Sequence, residues 1–328
     1  MSGFQSFLYM PFIESNDYHP ALPFKNGHIN TVFPALFRQT QPLNYQRERI
    51  RTPDDDFLDI DFMRSGNRKV AFLLHGLEGS SSSQYIKGSA DIFFQNGWDV
   101  AMINHRSCSG EMNKQRRMYH SGVTDDPHTV IQHLKKDYDE IVMVGFSLGG
   151  NMTLKYLGEW AEKTDDSIKC AVAVSVPIDL HACSLRIIAP SNFIYDKRFM
   201  RSLTKKVHLK NKQFPDTFKL EHLKKVKNLW DFDEYFTAPL HGFEGAKGYY
   251  ADCSSLSLLK NIRIPTLLIN ALDDPMLGPT CFPVDIAKKS EHLHLMTPKY
   301  GGHCGFTSFG NRNYWQEKMM LAFVEGQV

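Results

Sequence analysis

The chain predicts an α/β fold, a mostly parallel central sheet flanked by helices, and three observations carry that expectation. Short apolar runs rich in β-branched residues alternate with amphipathic helical stretches from about residue 70 onward. The spacing between successive runs leaves room for a crossover helix each time. One run, Ile141–Phe146, passes directly into Gly145-Phe146-Ser147-Leu148-Gly149 and a helix-compatible stretch ending at Trp160. Strand, sharp turn and helix in that order lift a serine hydroxyl above the end of a parallel sheet.

Taken along the chain, residues 1–45 are rich in Pro, Phe and Asn with little periodicity, and are expected to form an irregular arm around a single domain spanning 1–328. Arg47–Arg64 reads as two strands about the turn Pro53-Asp54-Asp55-Asp56. Val70–His75 and Trp98–Asn104 read as strands on either side of a helix at Gln84–Asn96, with Gly97 ending it. A helix follows at Asp125–Lys136, capped by Asp125 or Asp126. Ile141–Phe146 and Ile168–Val176 are the next strands. After an irregular basic stretch come strands at Pro265–Ala271 and His292–Met296 and a closing helix at Tyr314–Val324. The interruption at about 177–255, between the sixth and seventh of these strands, is too long for a plain connection and reads as a cap or lid with helices such as Leu220–Leu229.

Composition narrows the function. With 328 residues, 42% hydrophobic and 23% charged, the chain can bury a large core. A formal net charge of +2 speaks against nucleic acid as a partner. The basic stretch Lys197–Lys227 reads as a solvated helical face. No run reaches the roughly 20 apolar residues of a membrane span, so no stable membrane insertion is expected. The apolar arm (Phe4, Phe7, Leu8, Tyr9, Phe12) and the basic cap leave transient lipid-surface contact open. The arm is short and lacks a basic start, which does not fit a signal peptide. Six cysteines without CxxC pairs read as free thiols, and the expected location is cytoplasmic.

The chemistry-bearing residues fall where such a sheet would gather them. Ser147 at the turn is the candidate nucleophile, which needs a base and a group to orient that base, in the chain order Ser, acid, His. The strand at 265–271 runs into Asp273-Asp274-Pro275; Asp274 fits the acid position better, with Asp273 the alternative. Tyr300-Gly301-Gly302-His303-Cys304-Gly305 offers His303 on a glycine-rich turn as the base. The amides of Leu77, in His75-Gly76-Leu77-Glu78-Gly79, and Leu148 are placed to form an oxyanion hole. His75 is expected to fix its loop rather than move protons, and Ser80–Ser83 to loosen the loop and cap the next helix. The cluster Asn104–Glu111 reads as an ion-paired loop anchor, Cys304 as a packing residue, and His292 and His294 as surface residues, not metal ligands.

These stretches, with Lys25-Asn26-Gly27-His28-Ile29-Asn30-Thr31, Tyr119-His120-Ser121-Gly122, Phe236-Thr237-Ala238-Pro239, His241-Gly242-Phe243 and Tyr249-Tyr250, resemble one branch of the α/β-hydrolase superfamily. That branch holds the bacterial YheT-like hydrolases and related ABHD-type and Eht/Emb8-like proteins. The resemblance implies a Ser-Asp-His hydrolase of small carboxylic esters, favouring short- to medium-chain acyl groups, with no cofactor and no metal. Some relatives transfer the acyl group to an alcohol instead, so an acyltransferase is the alternative; a non-catalytic binding protein is another, because the fold also hosts such members. One departure is Ser107, where the family often has glycine. Oligomeric state is not legible.

Overall fold

The computed structural model describes residues 12–13, 17–215 and 217–327. Its backbone is a nine-stranded sheet. The strands are β1 (Phe12–Ile13), β2 (Gln46–Arg51), β3 (Phe57–Met63), β4 (Lys69–Leu74), β5 (Asp99–Asn104), β6 (Glu140–Phe146), β7 (Ile168–Val174), β8 (Thr266–Ile269) and β9 (Leu293–Met296). They lie in the order β1-β9-β8-β7-β6-β4-β5-β3-β2, and β3 alone runs against the rest. Central strands such as Val70–Leu74 and Ile141–Phe146 are buried on both faces, which is why they read as unbroken apolar runs rather than alternating ones.

Eleven α-helices accompany the described strands: α1 (Gly27–Phe37), α2 (Gln84–Gln95), α3 (Asp125–Leu134), α4 (Leu148–Trp160), α5 (Leu180–Ile187), α6 (Phe193–Gln213), α7 (Leu229–Phe232), α8 (Ala238–His241), α9 (Gly245–Cys253), α10 (Val284–Lys288) and α11 (Trp315–Glu325). The period-2 alternation of the sheet sends Phe72, Ile141 and Met143 toward α3 and α4, where Val130, Ile131, Leu134 and Met152 meet them. Leu73, Val142 and Val144 point the other way, against Ile86 and Phe93 of α2 and Met319, Met320 and Phe323 of α11. Two cores thus clamp the sheet. Helices α5–α9 lie between β7 and β8 in sequence, and Leu203, Val207, Leu229, Phe232 and Phe236 form a smaller apolar cluster of their own.

Several local expectations need correction. The arm is not irregular throughout: α1 starts at Asn26, whose Oδ1 accepts the amides of His28 and Ile29. The apolar arm residues Phe4, Phe7, Leu8 and Tyr9 lie outside the described residues. The helix expected at Leu220–Leu229 is a 3₁₀ turn at Leu220–Lys224 followed by α7. Leu220, Leu223 and Val226 recur every three residues, the period of a 3₁₀ turn, and they pack on the α6 cluster. Ser83 occupies the N-cap position of α2 without bonding it; its hydroxyl accepts the Ser80 amide instead. Thr124, not Asp125 or Asp126, precedes α3, and Asp126 turns inward to Arg106. His294 is buried, because β1 extends the sheet past β9 and Phe323 covers its ring.

Charge is buried where it is paired. Arg47 and Arg49 of β2 sit directly opposite Asp61 and Asp59 of β3 and clasp them at 2.7 Å. Arg106 is enclosed by Asp54, Asp56 and Asp126 at 2.7–2.9 Å, so the loop after β5 is anchored to the β2–β3 turn and to α3. Ser107 adopts φ 65° there, and its hydroxyl donates to Asn113 Oδ1 at 2.6 Å; the position that glycine often fills in the family uses its side chain to hold the loop. Removing the guanidinium would strand buried carboxylates. Arg106→Met is expected to cost about 3–5 kcal/mol of stability, read as a lowered urea midpoint, while the activity of the folded fraction on a soluble substrate stays near that of the parent.

Candidate active site

The turn between β6 and α4 is built to one shape. Ser147 has φ 51° and ψ −119°, a conformation that L-residues seldom adopt, and its amide donates to Val174 O of the neighbouring strand at 2.9 Å. Residues on both sides must be glycine. A Cβ on Gly145 would lie 2.5 Å from Gly149 O, and one on Gly149 would lie 2.4 Å from Leu74 O. The tight crossing of α4 over the ends of β4 and β6 aims the Ser147 side chain out from the C-terminal edge of the sheet.

Two further loops converge on that edge. His303 Nε2 lies 2.9 Å from Ser147 Oγ, and its Nδ1 lies 2.8 Å from Asp274 Oδ2. The second oxygen of Asp274 accepts the Met276 amide at 2.9 Å, which fixes the carboxylate plane. The His303 amide is held by Thr31 Oγ1 of α1 at 2.8 Å. Asp273 faces elsewhere: its Oδ1 accepts the Gly302 amide at 2.9 Å, and burial, with Asp274 alongside, raises its pKa to about 6. The structure therefore brings together Ser147, Asp274 and His303 and leaves Asp273 bracing the histidine loop.

Leu77 and Leu148 line one cavity with Ser147 and His303. Among the described residues neither amide has a hydrogen-bond partner. The loop that carries Leu77 is fixed from beneath. The His105 amide donates to His75 Nε2 at 3.1 Å, so the proton of His75 sits on Nδ1 and is donated to Gly76 O at 2.7 Å. Burial lowers the pKa of both histidines, and His105 falls to about 4; both are neutral braces, the loop-fixing role expected of His75. Tyr85 Oη accepts the Gly76 amide at 3.0 Å. Cys304 is buried and its thiol pKa is raised by that burial, which suits packing and not nucleophilic attack.

The cavity of about 100 Å³ beneath α5–α8 is walled by apolar side chains, among them Leu180, Leu203, Phe232, Phe236 and Met276. A second space of about 600 Å³ opens on the other side of Ser147 and His303, between α1, the Ser80–Gln84 loop and the start of α6. Ser147 thus stands between a narrow apolar slot and a wider, more polar mouth. No group of His, Cys, Asp and Glu among the described residues could hold a metal ion.

The family profile described as the alpha/beta hydrolase fold matches residues 72–307. YheT of Escherichia coli is 33% identical to the chain over 303 residues, covering 90% of this chain and 88% of that protein. The chain belongs to the α/β-hydrolase family. Human Phospholipase ABHD3 is 27% identical over 96% of this chain and 80% of its own; yeast Monoacylglycerol lipase is 29% identical over 84% of this chain and 62% of its own. Among solved structures, a Pyrococcus furiosus esterase superposes with a TM-score of 0.59 at 16% identity, covering 90% of this chain and 96% of that one, a likeness of fold.

Within this α/β-hydrolase, some positioning residues escaped sequence reasoning. Glu78 accepts from Tyr119 Oη and Lys206 Nζ, each at 2.7 Å, and from Ser202 Oγ; it ties the Leu77 loop to α6. Asn151 donates to Ser121 O and Cys253 O and accepts the Ser255 amide, joining α4 to the end of α9. No spacing rule in the sequence indicates its partners, which lie some thirty and a hundred residues away. The two aspartates are separable by experiment. Asp274→Asn is expected to lower kcat by about 10⁴, whereas Asp273→Asn keeps the parent rate within about tenfold. A carboxyl whose folded pKa is raised contributes stability at low pH and loses it as pH rises from about 4 to about 6. Asp273→Asn should therefore gain stability relative to the parent across that window, measured by thermal melts at each pH.

Proposed function

We propose that this chain is a serine hydrolase of carboxylic esters that works through an acyl-enzyme. The observation that carries the reading is the single imidazole of His303 within hydrogen-bond reach of both Ser147 Oγ and Asp274 Oδ2. The names of the phospholipase and monoacylglycerol lipase relatives support it, because both describe enzymes of ester substrates.

In this mechanism Ser147 Oγ gives its proton to His303 Nε2 and attacks the ester carbonyl. Asp274 keeps the other imidazole proton on Nδ1 and stabilises the imidazolium. Charge on the tetrahedral oxygen is received by the Leu77 and Leu148 amides; one such donor is worth about 10²–10³ in rate. His303 then protonates the departing alkoxide, the C–O bond to the alcohol breaks, and the acyl group stays on Ser147. A water that gives its proton to His303 hydrolyses that ester and restores the free hydroxyl. The acyl chain occupies the apolar slot beneath α5–α8 and the alcohol leaves through the wider mouth. Phe232 and Phe236 line this slot, and its small volume of about 100 Å³ favours short and medium chains.

The test is hydrolysis of p-nitrophenyl esters from acetate to palmitate by the parent, Ser147→Ala and Phe236→Ala. Turnover is expected to peak at short or medium chains, to vanish in Ser147→Ala, and to move to longer chains by about two carbons or more in Phe236→Ala as the slot gains volume. Undiminished turnover in Ser147→Ala would refute the assignment.

A further inference from the structure

Helix α1 is inside out. Its buried residues are Asn30, Thr31 and Pro34, while Ile29, Ala35, Leu36 and Phe37 face solvent, and the helix carries no Asp, Glu, Lys or Arg. The polar side has a clear use: Asn30 Oδ1 accepts the Thr307 amide and Thr31 Oγ1 accepts that of His303. The apolar side is exposed; among the described residues Phe37 meets the ring of Phe33 at 5.2 Å, and Ile29 and Leu36 stay open to solvent. Leu36 is 66% and Phe37 64% exposed, although removing such side chains from water is favourable.

The facing wall of the same opening repeats the pattern. Leu36 of α1 and Ile194 and Arg198 of α6 line the mouth that leads to Ser147 and His303. Phe193 and Ile194 are 54% and 59% exposed. Just beyond them Lys197, Arg198, Arg201 and Lys205 project into solvent, and among the described residues none of the four forms an ion pair or a side-chain hydrogen bond. Asp196, the one acid of α6, is buried and accepts the Leu229 amide. Among the described residues Glu78 is the one acid lining the mouth, and it is engaged by Lys206. Lys197 rests over the ring of Phe193 at 5.6 Å, and an apolar rim backed by cations without acidic partners among the described residues is complementary to acyl chains below anionic headgroups.

We propose that the rim formed by the outer face of α1 and the first turns of α6 docks this protein on anionic lipid bilayers. Ile29, Leu36, Phe37, Phe193 and Ile194 enter the acyl boundary while the α6 cations meet the headgroup phosphates. The mouth then opens onto the lipid, and an ester passes from the bilayer to Ser147 without crossing water. The basic stretch of the sequence is in this account a contact surface and not only a solvated face.

Vesicle co-sedimentation tests this. Parent protein is expected to pellet with vesicles of equimolar phosphatidylcholine and phosphatidylglycerol, and about tenfold or more less with phosphatidylcholine alone. Phe37→Asp with Phe193→Asp, and separately Lys197→Glu with Arg201→Glu, should each lower partitioning on the anionic vesicles at least about tenfold. Hydrolysis of water-soluble p-nitrophenyl acetate by both pairs should stay near the parent rate, which also reports that they fold. Binding is read without turnover, so failure here leaves the ester chemistry standing, and the reverse. Three results would overturn the proposal: no pelleting with either vesicle, equal pelleting with both, or a dimer by light scattering that Phe37→Asp with Phe193→Asp dissolves, since a second copy would then cover the rim.

Discussion

The backbone of Ser147 is the constraint on which the rest of the structure depends. Holding a non-glycine residue at φ 51° costs on the order of 1–3 kcal/mol, and surrounding contacts must enforce it. The bond from the Ser147 amide to Val174 O ties the turn to β7, and the near contact of Gly149 with Leu74 O locks α4 against β4. A larger residue at either glycine would push the helix from the sheet. The strain is held by a double core, with apolar layers on both faces of the sheet, so the turn cannot relax without moving buried strands.

From this fixed point the other loops are placed by short polar bonds. Thr31 holds the His303 amide, Met276 N holds Asp274, and the paired rings of His75 and His105 hold the Leu77 loop. Each brace comes from a different stretch of chain: the N-terminal helix, the loop after β8, and the ends of β4 and β5. Glu78 extends the arrangement to α6 through Lys206 and Ser202. Slot, mouth and Ser147 are therefore mechanically linked, and α1 joins the histidine loop to the exposed rim in a single element.

Much of this was legible in residue order. The core strands read correctly because burial on both faces leaves continuous apolar runs, and the turn at Ser147 because only small neighbours fit it. Asp274 was preferred for its place directly before Pro275, with Asp273 left as the alternative; in the structure Asp274 lies 2.8 Å from His303 Nδ1, whereas Asp273 accepts the Gly302 amide. What escaped has a physical pattern. Helix α1 was missed because its buried side is polar and its outer side apolar, which defeats a periodicity rule that assumes the reverse. The Leu220 region has a three-residue period that looks helical until geometry distinguishes 3₁₀ from α. His294 seemed peripheral because β1, a two-residue strand, covers the edge beyond it. Partners such as Glu78 and Lys206 are far apart in sequence and meet only through the fold.

The central claim is that the Ser147 hydroxyl, activated through His303, is the group that acquires the acyl chain. The most direct measurement is peptide mapping by mass spectrometry after reaction with a fluorophosphonate, beside a His303→Ala control. The account predicts one adduct per chain on the peptide containing Ser147, with labelling slowed by several orders of magnitude in the control. An adduct on another residue, or equal labelling without the imidazole, would contradict it.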